Sequence, residues 1–246
     1  MTHRTALVIG AAGGIGNAVS CALSQQGLVL TLVGRDIERL NQTRTQLGSA
    51  GDNALVIPCD VTDRVQVKSM VEQALERMAS IDILVYAAGV NVRQRSLRSL
   101  EPDDWDLVLS ANLTGAFNVV HFVLPSMRTR GGGLIVQISS LSGLRANIVS
   151  GAAYSAAKFA QSALGISIGR EERGRGIRST VIYAGEVNTG FLAARATRPG
   201  GSADESRGRA ILQPQDIAAA VCFLADLPPQ AHVPELVIKP TIDDFS

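Results

Sequence analysis

Short apolar runs alternate along the chain with longer stretches whose apolar positions recur every three or four residues. The runs at 6–10, 28–33, 54–57, 81–87, 134–139 and 177–183 are near-continuous blocks of Val, Ile, Leu and Ala. A strand with one wet face would alternate apolar and polar residues, so these runs predict strands buried on both faces. The stretches at 15–26, 37–47, 65–78, 103–127 and 152–173 are long enough and periodic enough for helices. Gly27 stops the first of them, and Thr62 or Asp63 is placed to cap the third. Pro214 suits the first position of a late helix reaching about residue 225, and 233–238 predicts a last strand. Buried strands separated by helices predict an α/β fold. The expectation is a single-domain, doubly wound parallel sheet of about seven strands, covered by helices on both faces. No repeat or linker divides residues 1–246, and the one irregular stretch, 186–209, is long enough to predict a functional loop.

Composition narrows the partners. With 46% hydrophobic and 18% charged residues the chain has material for a sizeable core, and a net charge of +1 offers no general attraction for nucleic acid or a membrane surface. The start of the chain has no signal-peptide-like apolar stretch, and no run reaches the ~18–20 apolar residues of a membrane span. Cys21, Cys59 and Cys222 are odd in number and far apart, which predicts a reducing, cytoplasmic setting rather than a disulfide framework. His3, His121 and His232 are scattered, so no metal site is expected.

The first strand-to-helix turn carries Gly10, Gly13, Gly14, Ile15 and Gly16. Glycines there permit a sharp turn and close backbone approach, and free N–H groups at a helix start favour a pyrophosphate; a tight structural turn is the plainer alternative. Asp60, after the third strand, is placed to accept from an adenine amine or to cap a helix. Arg35 ends the second strand, where an acid would grip a free ribose 2′-hydroxyl and a guanidinium suits a 2′-phosphate. That favours NADP(H) over NAD(H), although Asp36 follows at once.

Tyr154 and Lys158 lie four residues apart in an alanine-rich helix and therefore share a face. A free phenol loses its proton near pH ~10, and a fixed positive charge beside it lowers that value toward neutrality. Taken alone, the pair is better read as a half-buried tyrosine beside a solvated lysine, a spacing that chance supplies in many helices.

Taken in order, the glycine turn, Asp60 with Val61, Ala87-Ala88-Gly89, Asn112, Ser139-Ser140 and Tyr154-x-x-x-Lys158 resemble the short-chain dehydrogenase/reductase family from about residue 5 to 225. The resemblance implies a Rossmann-type oxidoreductase, homotetrameric or homodimeric, that moves a hydride between NAD(P)(H) and a carbonyl or alcohol. It implies Tyr154 as acid/base and Lys158 as the group that tunes it and holds the nicotinamide ribose. It implies Ser140, with Ser139 as runner-up, as the hydroxyl on the substrate oxygen. Asn112 is implied as the helix-bending residue that positions a relay water. Ala88 and Gly89, and then Gly185, Val187 and Thr189 after the sixth strand, match segments that line the cofactor. Three departures stand out. Ile9 replaces a threonine, Tyr86-Ala87 replaces Asn-Asn with loss of a sheet-stabilising side chain, and Ala184 replaces a proline.

A small carbonyl or alcohol substrate is expected between 90–95, 141–149 and the loop from Glu186, with Leu141, Ser142, Glu186 and Phe191 as candidate contacts. The tail at 233–241 lacks the glycine-rich ending common in 3-oxoacyl carrier-protein reductases. It looks more like members acting on small hydroxy acids, ketones or steroids. The alternatives are a 3-oxoacyl thioester reductase of the same family and a non-catalytic NADP(H)-binding regulator.

Overall fold

Residues 4–190 and 211–241 are described by the structure, a computed structural model. Seven strands, β1 (Thr5–Ile9), β2 (Val29–Gly34), β3 (Leu55–Pro58), β4 (Ile83–Tyr86), β5 (Gly133–Ser140), β6 (Ile177–Ala184) and β7 (Glu235–Ile238), form one sheet in the order β3-β2-β1-β4-β5-β6-β7. Every pairing is parallel. The helices are α1 (Gly14–Gln25), α2 (Ile37–Gln46), α3 (Arg64–Met78), α4 (Pro102–Leu109), α5 (Gly115–Arg130), α6 (Ala152–Glu171) and α7 (Pro214–Asp226).

Period-2 geometry in β1 sends neighbours to opposite faces. Ala6 and Val8 join a layer with Leu30, Leu32, Val19, Leu23, Ile217 and Val221, under α1 and α7. Leu7 and Ile9 join another with Val33, Met70, Val71, Val119, Val123 and Met127, under α3 and α5. Each such side chain removed from water contributes roughly 1.5–3 kcal/mol, which is why the strands read as unbroken apolar runs. At the polar helices the caps decide the start. Asp63 accepts from the N–H groups of Val65 and Gln66 and begins α3, and Asp36 does the same for α2 through Glu38 and Arg39.

The expected helix at 103–127 is three pieces. A π-helical turn, Ser110–Thr114, separates α4 from α5, and α5 continues through Pro125 to Arg130. Its extra residue turns Asn112 wholly inward. The combined stretch Pro102–Arg130 is long and apolar enough to cross a membrane by length and composition, yet half of its apolar window is buried in the fold. At the neighbouring end of β4, Tyr86 is fully buried and its hydroxyl donates to the carbonyl of Ala111 at 2.7 Å, inside the π turn. The tether expected to be lost at this position is thus replaced by a phenol that ties sheet to helix.

Tyr86→Phe should keep the shape and remove the hydrogen bond to the Ala111 carbonyl. The expected loss is about 1–2 kcal/mol of unfolding free energy in urea titrations. An unchanged midpoint would show that the bond carries no stability.

Candidate active site

At the carboxyl ends of β1 and β4 the chain departs in opposite directions, to β2 and β3 on one side and to β5 and β6 on the other. Such a reversal opens a crevice. Here it is a cleft of about 540 Å³ that runs from Arg35 and Arg39, past the glycine turn, to Ser140, Tyr154 and Lys158.

The turn has no room for side chains. A Cβ on Gly16 would stand 2.1 Å from the Gly10 carbonyl oxygen, and one on Gly10, where φ is +83°, would stand 2.7 Å from the Ala88 nitrogen. Gly13, Gly14, Ile15 and Gly16 face the cleft, and no side chain caps α1. The N–H groups of a helix start, with its dipole, therefore point at the cleft and suit a phosphate. Across the gap lies Thr189, whose Cγ2 would be 2.7 Å from a Cβ on Gly14. The segment carrying Gly185, Glu186, Val187 and Thr189 lines the opposite wall. It is held by Leu212, whose N–H donates to the Glu186 carbonyl at 3.0 Å and whose own carbonyl accepts from Asn188 at 2.7 Å. Phe191 and positions 191–209 of the expected substrate loop lie outside the described residues.

At the basic end, Arg35 is exposed and Arg39, one turn into α2, donates to the Ala12 carbonyl at 2.8 Å. Asp36 does not line the cleft, because its Oδ1 accepts from Glu38 and Arg39 N–H groups, both at 3.1 Å. Asp60 and Val61 are set back from the lining residues, and Asp60 Oδ1 accepts from the Thr62 N–H and hydroxyl.

At the other end stand the two serines of β5. Both border the cleft, but the Ser139 hydroxyl shares a 2.9 Å hydrogen bond with Ser162 of α6, whereas the Ser140 Oγ accepts only from the nearby Ser142 N–H at 3.1 Å among the described residues. Leu141 and Ser142 do not line the cleft. The Ser142 hydroxyl donates to Ser150 at 2.7 Å and fastens the loop. Lys158 is buried, with Nζ 5.6 Å from the centroid of the Tyr154 ring. Its ammonium donates to the Ile138 carbonyl at 2.9 Å and to Gln161 Oε1 at 2.8 Å, and burial pushes its pKa down to about 7.

Asn112 donates through Nδ2 to the carbonyls of Val90 and Val108 at 2.9 and 2.7 Å, while its buried Oδ1 has no partner among the described residues. A Cβ on Gly89 would lie 2.6 Å from that oxygen and 3.7 Å from Lys158 Nζ. Gly89 thus leaves a small polar space between Asn112 and Lys158. An orphaned acceptor beside an ammonium fits a bridging water. The glycine cradle and this orphan together fit a dinucleotide with its reactive end at Tyr154.

Sequence reasoning missed Arg39, Gln161 and Gln137. The signals were present: a second arginine four residues after Arg35, an amide on the buried face of α6, and a lone amide inside the apolar run at 134–139.

A family model described as short chain dehydrogenase matches residues 4–199. A glycine betaine reductase of Emericella nidulans is 32% identical over 98% of this chain, which spans only 19% of that protein. An uncharacterized oxidoreductase of Staphylococcus aureus is 30% identical over 98% of both chains. Among solved structures, the closed form of serine dehydrogenase complexed with NADP+ superposes with a TM-score of 0.90 at 27% identity, covering 99% of this chain and 97% of that one. An alcohol dehydrogenase from the archaeon Thermococcus sibiricus, complexed with 5-hydroxy-NADP, gives 0.85 at 27% identity, covering 98% of both.

The depressed pKa of Lys158 has a consequence for stability. An unfolded lysine holds its proton up to pH ~10.4. Between about 7 and that value the unfolded chain binds more protons, so this group's contribution to folding stability rises with pH. Lys158→Met should remove that slope. Denaturation from pH ~7 to ~10 should show wild type gaining on the variant as pH rises. A constant gap would mean that the buried ammonium is not depressed.

Proposed function

The chain belongs to the short-chain dehydrogenase family, and from that premise we propose that it moves a hydride between NADP(H), preferred over NAD(H), and a carbonyl or secondary alcohol of a small molecule. The observation that carries this reading is the cleft itself, with arginines at one end and Ser140, Tyr154 and Lys158 at the other. Nicotinamide, when bound, supplies or accepts the hydride. Tyr154 gives its proton to the substrate oxygen during reduction and takes it back during oxidation. The Ser140 hydroxyl donates to the same oxygen and stabilises the charge that develops there. Lys158 favours the tyrosinate through its positive field and holds the ribose hydroxyls, and the Asn112 Oδ1 holds the water that returns the proton.

Arg35 and Arg39 are proposed to clasp the 2′-phosphate. The diversion of Asp36 into the α2 cap supports this, because its carboxylate is directed to the Glu38 and Arg39 N–H groups and does not line the cleft. The solved neighbours complexed with NADP or 5-hydroxy-NADP support it too. For the substrate we take a small alcohol, hydroxy acid, ketone or steroid-like compound, with Glu186 at the wall; the serine dehydrogenase and alcohol dehydrogenase among the structural neighbours favour the small alcohols and hydroxy acids. The whole chain is taken as one dinucleotide-binding domain, with the substrate segment at 186–209. Exposed Trp105, Phe117 and Phe159 on α4, α5 and α6 support assembly as a homodimer or homotetramer, and the cytoplasm is the proposed setting for it.

Tyr154→Phe should keep NADPH binding within a few-fold and lower turnover by about 10²–10⁴ on a panel of ketones and secondary alcohols. Substantial reduction by this variant would remove Tyr154 from the chemistry. Arg35→Ala and Arg39→Ala should each weaken NADPH about 10-fold or more in fluorescence titrations and leave NADH unchanged, the loss of one charge-assisted bond. Equal weakening of both cofactors would refute the phosphate clasp.

A further inference from the structure

Behind Lys158 runs a buried amide chain that the chemistry above does not use. Gln161 Oε1 accepts from Lys158 Nζ at 2.8 Å, and Gln161 Nε2 donates to Gln137 Oε1 at 3.0 Å. Both glutamines are fully buried, and Gln137 Nε2 has no partner among the described residues. Two apolar residues at these positions would bury more cheaply, since an unpaired interior N–H costs about 1–3 kcal/mol. The fold also makes space for the pair. A Cβ on Gly165, one turn further along α6, would lie 3.3 Å from Gln137 Cγ and 2.5 Å from Val181 Cγ2.

An amide has two ends, and only one suits an ammonium. By accepting the Nε2 proton, Gln137 fixes Gln161 with its oxygen toward Lys158; a flipped amide would present N–H to N–H. We infer that Gln161, oriented by Gln137, is a positioning residue that holds the Lys158 ammonium beside Tyr154 and favours its charged form against the effect of burial. This rests on the proposed roles of Tyr154 and Lys158.

The groups around Lys158 leave the carbonyls this role. Tyr154 is on its own helix, β5 brings Ile138, Gln137 and serine hydroxyls, and the π turn brings Asn112. Tyr183 of β6 donates to Glu235 of β7, Arg95 lies against Gly151 at the start of α6, and Asp103, Asp104 and Asp106 sit on α4. Burial is the sole cause of the Lys158 shift, so none of these charges offsets it.

A titration without substrate or cofactor tests the pair. The chain has three tyrosines. Burial raises Tyr86 far above the ordinary range, and burial together with Glu235 pushes Tyr183 up to about 12, so phenolate absorbance at lower pH reports Tyr154. Tyr154→Phe gives the blank. Gln161→Met should raise the Tyr154 midpoint by about one pH unit, because less positive charge remains beside the phenol. It should also lower the melting temperature, since Gln137 loses its partner. The double variant Gln137→Met/Gln161→Met leaves no amide unpaired and should regain the melting temperature while keeping the raised midpoint. Where that variant does not fold, Gln137→Met alone should move the midpoint the same way by less. A folded double variant with the wild-type midpoint, or an unmoved Gln137→Met in its absence, would reduce the pair to a structural cross-link. Inactivity of the wild type on every alcohol and ketone would instead strike the proposed function, and the titration would be unaffected by it.

Discussion

An ammonium with its side chain in the protein interior is the constraint on which the rest of the site turns. Taking a charge out of water is expensive unless hydrogen-bond partners meet it. Lys158 meets the Gln161 amide on its own helix and the Ile138 carbonyl, and the second contact depends on α6 lying close against β5. Small residues make that approach possible. Ala153, Ala157, Ser162 and Gly165 line the inner face of α6, and Ser139 bonds Ser162 where the strand passes beneath. A larger residue at 165 would meet Val181 and Gln137 and lift the helix, carrying the ammonium away from the Ile138 carbonyl. The alanine-rich sequence around Tyr154 thus serves packing as much as helix propensity.

Much of this was legible in the sequence, for a physical reason. Strands buried on both faces must be apolar throughout, so six runs announced a parallel sheet to within a residue or two. Glycines are required where backbones touch, as Gly10 touches Ala88, so the turn was legible as well. Other features depend on how a side chain is spent. Asp36 stood beside Arg35 as a competing acid until its Oδ1 was seen capping α2. Ser139 and Ser140 are chemically alike and both border the cleft, and only the structure shows that the Ser139 hydroxyl is spent on Ser162 of α6. The π turn adds one residue to an otherwise unbroken helical period, which no windowed pattern separates from noise. Ser142 and Leu141 were placed near the substrate by position alone, and the structure turns them from the cleft.

The family departures read differently once packing is known. Ile9 points into the apolar layer under α3 and α5, so the hydroxyl it replaces is exchanged for core. Tyr86 crosses to the π turn and fixes the Ala111 carbonyl next to Asn112. Support that the sequence comparison marked as missing is supplied by a larger side chain from the same strand end. Gly115 leaves room for that phenol, since a Cβ there would lie 2.6 Å from Tyr86 Oη.

The choice of carbonyls and amides around Lys158, rather than a carboxylate, follows from what the charge is for. A carboxylate would hold the ammonium more tightly and would also cancel its field within a few ångströms. No acidic group among the described residues contributes to the Lys158 shift, and no ion pair to it is formed. Neutral acceptors solvate the ammonium in part and leave its field to act on the nearby phenol. The cost is a lysine whose proton is loosely held at neutral pH, and that looseness is useful where protons must pass between Tyr154 and solvent. The basic end of the cleft follows the same logic with exposure in place of burial. Arg35 stays in water, which keeps it charged at little cost, and Arg39 is steadied by one carbonyl, so both charges remain available to an anion. Each end is thus built so that its positive charge is held in place without being neutralised.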